Sequence, residues 1–257
     1  MASWSPPIPA VAYGALLVIA AFASFVFGGI PRLRSLLQPT PESPTPSLKV
    51  HLPLMLAGAL ALGLCAWLAT PLLPGTSLAV GLVLATLSGQ KPAILWGLFR
   101  KNLIRDFRFS LQTMLTLFFP ILILLLFSSG LYLLLGFPLE PQPAMARFLE
   151  ARDAKTLTPF LTYALVIAPV WEEIFFRGTL FPWLAGRFTV SQAQWLSALA
   201  FGAVHLHGPT LLPLTLFGAA LAGVYRTKNS LIPSILLHSL FNANTCVLLL
   251  LARPPLG

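Results

Sequence analysis

Three of the chain's few charged residues fall inside one apolar stretch, Ala168-Pro169-Val170-Trp171-Glu172-Glu173-Ile174-Phe175-Phe176-Arg177-Gly178. Glu173 and Arg177 stand four positions apart, one helical turn, and can pair. Glu172 points about 100° away on the same helix, so Arg177 need not neutralise it. One helix thus offers an ion-paired carboxylate and a second carboxylate free to act. A carboxylate in apolar surroundings is a stronger proton acceptor than one in water, which is what general-base chemistry on water asks for.

Two further apolar stretches carry groups that complement such a base. Phe201-Gly202-Ala203-Val204-His205-Leu206-His207 places an imidazole near small residues, Gly202 and Ala203, that permit close helix approach. His207 lies at the end of that run beside Gly208-Pro209 and is read as an interfacial, non-catalytic residue. His238-Ser239-Leu240-Phe241-Asn242-Ala243-Asn244 puts an imidazole and a carboxamide four apart on one helical face, where both can donate to a developing oxyanion. Asn244 is two residues on and points elsewhere. Each of these groups also has a structural reading, because Glu, Arg, His and Asn can simply pin membrane helices together. The sequence holds no HExxH, no GxSxG elbow and no Walker loop.

What must position these residues is a membrane fold. The 257 residues are 57% hydrophobic and 9% charged, with a mean hydropathy of +0.84. Soluble domains carry about 25% charged residues. Apolar runs at about 11–30, 52–73, 76–89, 111–136, 157–181, 192–207, 210–226 and 230–251 predict an all-α, polytopic bundle of about eight transmembrane helices. The chain reads as a single integral membrane domain, 1–257, with its motif-bearing core at 157–251. The run at 11–30 is long enough to span and has no Lys or Arg before it, so it reads as a retained helix rather than a signal peptide. Pro31–His51 is too rich in proline and polar residues to be helical. In Lys91–Ser110, Trp96, Phe99, Leu103 and Phe107 would line one apolar stripe opposite Lys101, Arg105 and Arg108, which suits an amphipathic helix on a membrane face.

The net charge of +9 is concentrated in short gaps between apolar runs, where it argues for headgroups and against nucleic acid. With eight spans, eleven Lys and Arg fall on the inner connections and four on the outer, which places both termini outside. Cys65 and Cys246 both lie in apolar runs, and exclude a disulfide framework or a multi-cysteine zinc site.

Glu172-Glu173 followed by Arg177-Gly178, then Phe201 and His205, then His238 and Asn242, resemble the three motifs of the CAAX protease and bacteriocin-processing family (CPBP, Abi) of intramembrane glutamic endopeptidases. The resemblance covers about residues 157–251. It implies a bundle enclosing a polar cavity open to the cytosolic side, with Glu172 activating water assisted by His205. It also implies an oxyanion held by His238 and Asn242, with Glu173 and Arg177 in support and no metal or cofactor. A zinc site on Glu172, His205 and His238 is the alternative the residue types leave open. Counted along the helices, Glu172 and His205 fall at different depths unless the helices are broken or tilted. The implied substrate is a membrane-anchored peptide or protein: a prenylated tail, a leader peptide or a C-terminal sorting tail. Competing readings are a non-enzymatic immunity or scaffold protein and a proton-coupled transporter, for which intramembrane Glu, His and Arg are also typical.

Overall fold

The computed structural model describes residues 8–38, 102–151 and 153–251, with backbone alone at 8–10 and 143–144. Every regular element among them is helical. α1 (Ile8–Ser24) is joined to α2 (Ile30–Leu37) by a kink over Phe25–Gly29, where Gly28 takes φ 143°. Next come α3 (Leu103–Leu134) and a short α4 (Pro143–Glu150). The next membrane-length segment, Ala154–Ala185, is assembled from α5 (Ala154–Thr162), a π turn Tyr163–Ile167, α6 (Ala168–Phe175), a second π turn Phe176–Leu180, and α7 (Phe181–Ala185). α8 (Val190–Ala203), α9 (Gly208–Lys228) and α10 (Leu231–Leu251) complete the chain.

Among the described residues, five segments are long and apolar enough to cross a bilayer: Val11–Leu37, Leu103–Leu134, Ala154–Ala185, Gly208–Lys228 and Leu231–Leu251. The protein is an all-helical, multi-pass membrane protein. The expected runs at 52–73 and 76–89, Cys65, and the part of the amphipathic stretch from Lys91 to Lys101 lie outside the described residues. The expected run at 192–207 becomes α8, a 14-residue helix, about 21 Å long at 1.5 Å per residue and short of a bilayer core. A capping box starts it, with Thr189 and Gln192 exchanging side-chain-to-backbone bonds.

Two expectations are corrected. Pro31 does not prevent a helix: Ile30–Leu37 is α-helical, with the proline in the first turn, where its missing N–H has no intrahelical role. Leu103–Ser110 is not a separate surface helix but the start of the 32-residue α3, capped by the Asn102 side chain accepting from Arg105 N–H. Asp106 and Ser110 are buried, while Arg105 and Arg108 are exposed along with Leu103 and Phe107 of the expected apolar stripe. Ser110 Oγ donates to Pro233 O at the start of α10, 2.8 Å away.

α9 is the most buried of the five, and its sequence explains why. Gly218, Ala219, Ala220, Ala222 and Gly223 form a run of small residues that lets neighbouring backbones approach on several sides. A Cβ at Gly218 would stand 3.1 Å from Ala198 Cα of α8, and one at Gly223 would collide with the Leu36 carbonyl of α2. The carbonyl end of α2 is held there by side chains as well. Gln194 Nε2 donates to Leu36 O (2.7 Å) and Ala219 O (2.9 Å), and Arg226 Nη2 donates to Ser35 O (3.0 Å). Gly223→Ala is therefore expected to lower stability by about 1–3 kcal/mol through overpacking. Gly130→Ala, which meets nothing within 4 Å, is expected to be neutral. Thermal inactivation of the two purified variants compares them directly.

Candidate active site

The third span brings its acids to the bundle centre by departing twice from regular α-helix. The π turns before and after α6 each insert a residue into the ladder, a device frequent at functional sites. Each also has a carbonyl bonded by a side chain from another helix. Phe176 O, in the second turn, accepts Ser197 Oγ–H of α8 at 3.2 Å. Ala164 O, in the first, accepts Asn242 Nδ2–H of α10 at 2.8 Å.

Between them, Glu173 and Arg177 are fully buried and paired, Nη1 to Oε1 at 2.8 Å. Arg177 Nη2 donates to Gly218 O of α9 at 2.9 Å, an approach that the absence of a side chain at Gly218 permits. Its guanidinium lies 4.4 Å from the Phe201 ring centroid and 5.6 Å from that of Phe176. These contacts add cation–π attraction in a site without water competition.

His238 joins the two acids. Its Nδ1 is 3.0 Å from Glu173 Oε1 and its Nε2 is 3.8 Å from Glu172 Oε2. Glu173 Oε1 already accepts from Arg177 Nη1–H, and Nδ1–H of His238 donates to the same oxygen. Nε2 is then a bare lone pair in the neutral ring and a donor in the imidazolium. Glu172 is 19% exposed at its side chain, and its Oε2 has no hydrogen-bond partner among the described residues. At 3.8 Å the Glu172–His238 approach is too long for a hydrogen bond, and a hydroxylic molecule set to one side can bond both.

The Phe201 ring gathers the remaining groups. His205 packs against it at 5.1 Å and His238 at 5.6 Å, centroid to centroid. Phe217 flanks His238 at 5.6 Å and stacks on Phe241 at 4.2 Å. His205 is not on a span: α8 ends at Ala203, and His205 sits in the turn to α9, where Leu206 has φ 50°. This accounts for the depth mismatch between Glu172 and His205 along straight helices. His205 Nδ1–H donates to Phe201 O at 2.8 Å, which leaves Nε2 as the acceptor. Of the two small residues before it, Gly202 makes the close approach, a Cβ there lying 2.9 Å from Leu211 O, while Ala203 is exposed.

His207 is tied to the loop before α4, with Nε2–H donating to Glu140 O at 2.9 Å. It borders a cavity of about 260 Å³ lined by Tyr132, Phe137, Glu140 and Leu206, which touches none of the motif residues. Asn244 accepts from Tyr13 Oη–H of α1 at 2.8 Å. Cys246 is a buried free thiol. Among the described residues, no three His, Cys, Asp or Glu side chains are grouped so as to hold a metal ion. Ser197, Gly218 and Phe217, which brace the network, were not among the sequence-derived candidates. The signal was available for Ser197 as a polar residue within an apolar run.

A multi-pass helical bundle that buries an acid pair against an arginine and an imidazole defines a membrane protein with the parts of a hydrolase. Residues 154–244 match the family model described as Rce1-like, type II CAAX prenyl endopeptidase. The matched stretch takes in every motif residue from Glu172 to Asn242, and over it the chain is similar to that family. No curated protein and no solved structure matches the chain.

Proposed function

We propose that the protein is an intramembrane, glutamate-dependent endopeptidase that hydrolyses a peptide bond of a membrane-associated substrate. The observation that carries this reading is the Glu172 carboxylate, its Oε2 without a hydrogen-bond partner among the described residues and 3.8 Å from His238 Nε2, beside the buried Glu173–Arg177 ion pair. Glu172 takes a proton from water as the water oxygen bonds the scissile carbonyl carbon. His205, its acceptor nitrogen fixed by the Nδ1–H bond to Phe201 O, orients that water. The oxyanion receives Nε2–H of the His238 imidazolium and the second N–H of the Asn242 carboxamide. Glu172 then returns the proton to the leaving amine as the C–N bond breaks. Glu173, held by Arg177, accepts Nδ1–H and so fixes the orientation of the His238 ring. No metal or cofactor enters these steps.

The match to prenyl endopeptidases favours a prenylated C-terminal tail as substrate; leader peptides and sorting tails have the same membrane-anchored character. The partners are this substrate and the lipid bilayer, not nucleic acid. The bias of Lys and Arg towards one set of connections supports both termini outside, and the high content of Ala, Leu and Pro with few Lys is the basis for placing the protein in a bacterial inner membrane.

The test compares the protein termini found in membranes of cells carrying the wild-type chain with those carrying Glu172→Gln. New termini that appear only with the wild type are expected. Identical sets of termini would overturn the reading.

A further inference from the structure

Asn242 is held by a carbonyl that an α-helix would ordinarily consume. In the π turn Tyr163–Ile167, Ala168 N–H bonds Tyr163 O, five residues back. The next carbonyl, Ala164 O, would take the N–H of residue 169 by the same step. That residue is Pro169, which has none. Ala164 O therefore has no donor within its own helix, and Asn242 Nδ2–H fills it from α10 at 2.8 Å. Pro169 itself is buried, three residues before Glu172.

We propose that Pro169 is a positioning residue: by keeping Ala164 O open, it fixes the Asn242 carboxamide so that its second N–H is presented to the reacting carbonyl. The inference rests on the reading of Asn242 as an oxyanion donor. A carboxamide has two N–H groups in one plane. Anchoring one to a rigid backbone acceptor sets the direction of the other, and this direction is what an oxyanion donor needs before the substrate arrives. The proline also explains why the bulge stays in place. Any other residue at 169 would supply an N–H able to close the ladder onto Ala164 or Leu165, withdrawing the acceptor from Asn242.

A proline serving only to shape the helix gives a different result from one acting through Asn242. The experiment uses the full-length chain in lipid and a synthetic peptide spanning the strongest Glu172-dependent cleavage site in membranes. Asn242→Ala is expected to lower kcat roughly 10²–10³-fold. Pro169→Ala is expected to lower kcat roughly 10–100-fold with KM unchanged, and thermal stability equal to the wild type or higher, since a helix gains a hydrogen bond. The double variant is expected to match Asn242→Ala alone, because the second change has nothing left to disturb. Wild-type kcat in Pro169→Ala, a change confined to KM, a loss of stability or of membrane accumulation, or a double variant whose losses multiply would each overturn the role of Pro169. If Asn242→Ala retained wild-type turnover, the oxyanion reading itself would fall, and it would do so independently of Pro169.

Discussion

Glu172→Gln is expected to fold, insert and bind substrate while losing turnover by roughly 10²–10⁴-fold, the usual contribution of a general base. The substitution keeps the shape of the side chain and removes only its capacity to take a proton. The effect on the fold should be small for a reason the network supplies. Glu172 Oε2 has no hydrogen-bond partner among the described residues to lose, and Arg177 still pairs with Glu173. Kinetics of the purified variant on a cleaved peptide, with its melting temperature beside that of the wild type, separate the two effects. Near-normal kcat would remove Glu172 from the role of base. A collapse in stability of matching size would make it a structural pin.

The second large effect falls on the fold. Arg177→Met leaves the fully buried Glu173 without its cation and the Gly218 carbonyl without its donor. Removing one partner of a buried ion pair costs about 3–5 kcal/mol, so little folded protein is expected in membranes and thermal inactivation should fall steeply. Glu173→Leu combined with Arg177→Met is expected to recover most of that stability, since neither charge then remains buried. It should not recover cleavage. Glu173 Oε1 is the acceptor that fixes His238 Nδ1–H, and without it the ring loses the orientation that the proposed oxyanion contact requires. Stability and turnover thus separate in one pair of variants, measured by thermal inactivation and peptide hydrolysis.

The helical periodicity of the last hundred residues was enough to place Glu173 against Arg177, and to put His238 and Asn242 on one face turned to the same neighbour. Both hold, because a four-residue spacing fixes direction whatever the tertiary fold. Three things were hidden. His205 lies beyond its helix because α8 ends two residues earlier, and helix ends are set by local backbone conformation, here the positive φ of Leu206. The π turns either side of α6 leave no periodic trace, since one inserted residue shifts a pattern too slightly to notice in an apolar run. Backbone partners such as Gly218 O and Ala164 O carry no residue type to be read at all. The start of α3 departs from the expected amphipathic pattern in its apolar stripe: Leu103 and Phe107 are exposed, as are Arg105 and Arg108, and the buried positions fall at Asp106 and Ser110.

Glu173 and Arg177 are both fully buried, which puts their pairing out of reach of ionic screening. The proposed hydrolysis is therefore expected to run at nearly the same rate in dilute and concentrated salt.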